Sequence, residues 1–243
     1  MSFKRFKFLF RQRLGEYPLL FFGFMRFAGN SRRRAIMVSS DTEFVVEGFP
    51  RSGNTFAVAA FLLAQQRPVK ISHHLHVPAQ IIYAARLNIP TLVLIRKPDE
   101  AILSMVIREP WITIQDALYL YCRFYDKILL YSSNYVVGAF EEIVNNFGNV
   151  TRRVNERFGV EFVPFEHTQS NLEQCFRLIE EMDKEDRSQS SVTETTVARP
   201  SPERDNLKKQ LAERLQEKKM RVKLERAYDV YQKFLETSGI NAP

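Results

Sequence analysis

The stretch VVEGFPRSGNTF, residues 45 to 56, limits the possible folds more than any other part of this chain. The apolar run EFVVEG (43–48) ends in Gly48, and Gly53 completes the G-x-x-x-x-G spacing of a phosphate-binding loop. NTFAVAAFLLAQQ (54–66) then has helical spacing and good helix formers. A strand, a glycine turn and a helix in that order aim backbone N–H groups and a helix N-terminus at an anion. Thr55 stands where such a loop carries its Ser or Thr, but Asn54 replaces the lysine that would reach the β and γ phosphates. The loop's cation, Arg51, comes earlier.

The pattern repeats downstream. VKISHHLHV (69–77) alternates like a strand, and PAQIIYAARLN (78–88) reads as a helix opened by proline. TLVLI (91–95) is a continuous apolar run, as in a central parallel strand. PDEAILSMVIRE (98–109) and 114–131 read as helices, and NYVVGAF (134–140) as a fourth strand before the helical EEIVNNF and NVTRRVNERFG. Strands alternating with helices predict an α/β fold: a parallel sheet flanked by helices, of the P-loop-like type. With 243 residues and 45% hydrophobic content, residues 41–243 suffice for one such domain. It includes a Ser/Thr/Pro-rich loop at about 186–206 and charged helices to about 236.

The third strand sharpens the ligand. TLVLIRK ends in Arg96 where a triphosphate enzyme would place a metal-binding acid. Open parallel sheets bind ligands beyond the carboxyl ends of their strands. Arg96 and Ser104, two helical turns on, offer a fork and a hydroxyl to a second phosphate. The expected ligand carries separated phosphate groups and needs no bound metal.

These motifs resemble those of the PAPS-dependent sulfotransferases, PAPS being 3′-phosphoadenosine 5′-phosphosulfate. FPRSGNTF resembles the family's 5′-phosphosulfate loop, P-K-S-G-T-T-W, and RKPDEAILS its 3′-phosphate motif, R-x-P-x-x-x-x-x-S, at Arg96, Pro98 and Ser104. AFEEI (139–143) is similar to its Y-E-D-L stretch. The resemblance runs from about residue 43 to about 165, with the two phosphate motifs about forty residues apart. It implies PAPS as co-substrate. Arg51, Ser52, Gly53, Asn54 and Thr55 would then hold the 5′ end, and Arg96 and Ser104 the 3′-phosphate. Phe56 and Phe140 would face adenine. Arg51 replaces the family's lysine, and Phe56 its tryptophan. The R-K-G-x-x-G motif near the C-terminus is absent, with VARPSPERD and Arg199 as its stand-in.

Sulfuryl transfer needs a base for the acceptor's proton and cations for charge on the leaving oxygen. Arg51 is the candidate cation, and the family places a histidine at the end of the second strand. An extended strand would put Ile71, His73, Leu75 and Val77 on one face, and Ser72, His74 and His76 on the other. His74 and His76 are therefore the candidate bases, and His73 a structural residue. The acceptor is expected to bear a hydroxyl, on a glycan, a lipid or a small molecule. Two other readings use the same residues. One is a nucleotide kinase with a degenerate loop, and the other a non-enzymatic nucleotide-binding protein at a membrane surface.

Residues 1–40 form a basic, aromatic arm. They hold nine Lys/Arg, one acid (Glu16) and eight Phe, while the rest of the chain has 26 basic and 27 acidic residues. The arm is expected either to pack on the domain or to sit on an anionic membrane surface. No apolar run in it reaches spanning length, and charges interrupt it as they would not interrupt a secretory signal. Cys122 and Cys175 lie far apart and read as buried thiols, which suits a cytoplasmic protein, with peripheral membrane contact through the arm. Nucleic acid is not an expected partner.

Overall fold

The computed structural model describes residues 2–187 and 202–237. Its centre is a four-stranded, wholly parallel sheet of β1 (Phe44–Gly48), β2 (Ile71–His73), β3 (Thr91–Ile95) and β4 (Val136–Ala139), in the order β2-β1-β3-β4. The register sets Val46 opposite His73 and Leu92, and Leu94 opposite Gly138.

Helices cover both faces, as the apolar strands require. Phe44, Val46, Leu92 and Leu94 turn to one side. There they meet α4 (Asn54–Ala64), α8 (Phe140–Phe158) and α9 (Gln169–Arg187), through residues such as Phe61, Phe147 and Ile179. Val93 and Ile95 turn to the other side, against α5 (Pro78–Arg86), α6 (Pro98–Arg108), α7 (Ile114–Ile128) and α11 (Lys218–Thr237). α10 (Pro202–Leu215) adds Leu215 to that layer. The helix starts follow their sequence signals. α5 and α6 open on proline, α6 carries Asp99 and Glu100 in its first turn, and Thr113 and Asp116 form a capping box on α7.

Three boundaries differ from expectation. The second strand is only three residues long. The helix from 114 passes at Leu129 into a 3₁₀ segment, Leu129–Asn134. The two helical runs after β4 form one helix with a break at Asn146 (φ −155°). Both cysteines are buried and free, and burial pushes the Cys122 thiol up to about 11 and that of Cys175 to about 12.

The arm packs on the domain by its inner faces. It forms α1 (Phe3–Leu14), α2 (Pro18–Ala28) and the single turn α3 (Ser31–Ala35). Phe21 and Met25 are buried with Leu75, Val77 and Ala79. Gly15 lies so close to Val77 that a Cβ would come within 2.4 Å of its side chain. Arg5 holds Asp116 through two bonds of 2.8 and 2.9 Å, and buried Glu16 pairs with Arg123, Arg13 and Lys127. No helix among the described residues is long and apolar enough to cross a membrane.

Candidate active site at the carboxyl edge of the sheet

Parallel strands end at a common edge, and the chain leaves β1 and β3 toward opposite faces. β1 feeds α4 on the Val46 side, and β3 feeds α6 on the Val93 side. This divergence between neighbouring strands is the topological switch point at which open sheets form a ligand crevice. Loop 49–53 leaves one strand there, and Arg96 leaves the other.

The loop turns through two left-handed residues, Arg51 (φ +72°) and Gly53 (φ +92°), the latter capping α4. A Cβ at Gly53 would stand 3.3 Å from the Phe140 ring. Asn54 Nδ2 donates to Phe49 O at 3.0 Å, which closes the loop, while its buried Oδ1 has no hydrogen-bond partner among the described residues. Ser52 is fully buried, with its hydroxyl 3.5 Å from that of Tyr125, which donates to Leu94 O at 2.8 Å. Its side chain thus braces the loop on the core.

The two motifs expected to hold phosphates touch. Arg51 Nε donates to Ser104 Oγ at 2.9 Å, and Arg96 Nη1 donates to Arg51 O at 3.2 Å. Arg96 also lies with its guanidinium carbon 3.8 Å from the centre of the Phe140 ring, a cation–π contact. Among the described residues a carboxylate enters this group: Glu100, a turn along α6, accepts from Arg96 Nε at 3.0 Å and from Nη2. Arg51, Arg96, Ser104, Phe140 and Gly53 are therefore one cluster.

The histidine segment differs from the expected strand. His74 (φ +55°) and His76 (φ +53°) are left-handed, so the two-residue alternation stops at His73. Of the four non-glycine residues with positive φ among the described residues, three lie at this edge, and each costs of order 1–2 kcal/mol. Leu75 and Val77 still enter the core, and His74 and His76 stay half-buried outside it.

His74 Nε2 lies 3.1 Å from Thr55 Oγ1, and its Nδ1 2.6 Å from His73 Nδ1. Burial, then the charges of His73, His76 and Arg108, hold His74 well below the usual histidine range. Burial lowers His73 to about 4. Both rings are thus neutral near pH 7. His76 faces the other way, its Nδ1 2.9 Å from Gly48 O and 3.4 Å from Glu47 Oε1.

The sequence reading missed three supports. Glu47 is fully buried at the end of β1, where it accepts from Leu75 N at 3.0 Å and Gln80 Nε2 at 3.3 Å. A carboxylate inside the apolar run FVVEG was its signal. Arg11 of α1 donates to Leu75 O at 3.0 Å, and Gln12, with its amide nitrogen turned inward, donates to His76 O at 2.9 Å. The arm therefore holds the histidine loop from behind, which no local pattern announced.

One expected residue is not in the cluster. Phe56 is 5% exposed and packs in the core against Phe165, Phe176 and His167, with ring centres 6.1–6.3 Å away. It points down the buried side of α4, so its ring is not available to a base. Arg199 lies outside the described residues. A cavity of about 220 Å³ lined by Leu63, Pro164 and Asn171 sits at the far end of α4 and holds none of these groups.

No protein-family model and no curated protein sequence matches the chain. Among solved structures, mouse sulfotransferase SULT7A1 complexed with PAP is similar over 80% of this chain and 91% of that one, at 15% identity and a TM-score of 0.41.

Proposed function

We propose that this protein transfers a sulfuryl group from PAPS to an acceptor hydroxyl. The observation that carries this reading is the meeting, at the β1/β3 crevice, of Arg51, Arg96 and Ser104 with a neutral histidine bonded to Thr55 of the same loop.

The residues suit a nucleotide with two separate phosphate groups. The N-terminus of α4 and Arg51 supply one anion site, and Arg96 with Ser104 the other. Phe140, already against Arg96, offers an aromatic ring beside them. PAPS supplies the activated sulfuryl group. Arg51 stabilises negative charge on it and on the phosphate oxygen it leaves.

His74 takes the acceptor's proton at Nε2. Its Nδ1 and that of His73 share one hydrogen, so two tautomer pairs are available. When His74 carries that hydrogen, its Nε2 lone pair is open to a hydroxyl, and Thr55 Oγ1 occupies that position in this structure. A base kept neutral at pH 7 by burial is fit for the task.

Calorimetry tests the binding half. Adenosine 3′,5′-bisphosphate should bind about 30-fold or more tighter than AMP, since only it engages Arg96 and Ser104 with charge-assisted bonds worth about 2 kcal/mol. Arg96→Ala should erase most of that difference. Turnover of labelled PAPS that survives EDTA completes the case. Equal affinities overturn the assignment, and phosphoryl transfer abolished by EDTA would favour a kinase.

A further inference from the structure

We infer that the outer face of α1 and α2 is a docking surface for anionic lipid bilayers. The inference is independent of which reaction the carboxyl edge supports. It rests on side chains that the fold leaves uncovered although they are large and apolar.

Phe3, Phe6 and Phe10 recur at helical spacing on α1, and Leu20, Phe24 and Phe27 on α2. All six are exposed, Phe27 at 93% and Phe3 at 69%. The two rows form one surface, because Phe10 meets Phe24 edge-on at 6.2 Å and Phe6 stacks on Phe10 at 6.3 Å. The buried faces of the same helices already hold the arm on the domain through Phe21, Met25 and Gln12. The outer rings therefore contribute little to folding.

Charge selects the occupant. Lys4 and Lys7 stand among the rings, Lys7 lying 4.3 Å over Phe3 and Lys4 5.2 Å over Trp111. Arg26, Arg33 and Arg34 are exposed at and beyond the end of α2. The one carboxylate of residues 1–40, Glu16, is buried in its ion pairs with Arg123 and Lys127, so the arm shows no acid to solvent. A protein partner or a second copy of this arm would have to neutralise those cations with acids that the arm itself lacks. A bilayer rich in phosphatidylserine supplies the negative surface and an apolar interior for protruding rings together.

The test is co-sedimentation of the full chain with vesicles of phosphatidylcholine alone, or with about one-third phosphatidylserine, at about 50 and 500 mM salt. Binding should be about tenfold or more stronger on the anionic vesicles, and should collapse at high salt. Phe3→Ser with Phe27→Ser should weaken it at least tenfold, as should Lys4→Glu with Lys7→Glu. Both pairs should keep the parent's melting temperature. Equal binding to the two vesicle types, or no binding by the parent chain, overturns the proposal without recourse to any variant. A dimer in solution that Phe3→Ser with Phe27→Ser dissociates would overturn it in favour of self-association.

Discussion

Glu100 is the residue whose placement was least visible in the sequence and matters most for the nucleotide. It sits one helical turn from Arg96 and holds it through two contacts, so on the proposed assignment a 3′-phosphate competes with a carboxylate for the same guanidinium. Glu100→Gln should therefore raise affinity for adenosine 3′,5′-bisphosphate about three- to tenfold, and leave AMP affinity nearly unchanged, by calorimetry. Unchanged bisphosphate affinity would mean that the pair does not compete. The histidines offer a second comparison. His74 is linked to Thr55, whereas His76 is bound to Gly48 O beside Glu47. His74→Ala should lower kcat by two to four orders of magnitude with little change in nucleotide affinity, and His76→Ala should do less. The reverse order would move the base to His76.

At the scale of elements, the β1–loop–α4 unit was legible because its signal is local. Two glycines at fixed spacing, an apolar strand before them and a helix after them are each written in adjacent residues. Gly53 shows why one of those glycines is needed: φ is +92°, and a Cβ would press on Phe140. Gly53→Ala should cost about 1–2 kcal/mol. For a chain of this size that lowers the melting temperature by about 2–8 °C, measurable by calorimetric scan. An unchanged melting temperature would show that the loop relaxes to accommodate the methyl group. The second strand was misread for the opposite reason. Alternation in VKISHHLHV is a period-two pattern, yet Leu75 and Val77 reach the core through left-handed turns at His74 and His76. Those turns depend on contacts remote in sequence, with Glu47, Arg11 and Gln12. Phe56 was misplaced because a loop motif gives its sequence position without the rotation of the helix behind it.

At the scale of the molecule, the neutral histidine pair links stability to acidity. His73 and His74 share one hydrogen between their Nδ1 atoms, and protonating both rings leaves two N–H groups facing each other at 2.6 Å. Glu47 favours a charged His73, but burial outweighs it, with His76 and Arg32 adding repulsion, and the folded value falls to about 4. In the unfolded chain both rings titrate near 6.5. The folded values are lower, so the unfolded state binds more protons between these limits. The stabilisation is fully present above about pH 6.5 and is lost as pH falls toward 4. His73 alone accounts for a loss on the order of 3 kcal/mol across that window. The carboxylates held below their usual range, Asp41 by Lys70 and Ser39 and Asp116 by Arg5 and Thr113, release their contribution only in stronger acid. Urea midpoints should therefore be level from pH 8 to 7 and decline from about 6.5 to 4, with the decline reduced in His73→Gln. The acid limb of kcat/KM for PAPS should also lie below pH 6.5, since that limb reports the free protein's base. A limb centred at or above 6.5 would remove His74 from the role of base, and a stability profile flat to pH 4.5 would show that the pair is protonated in the fold.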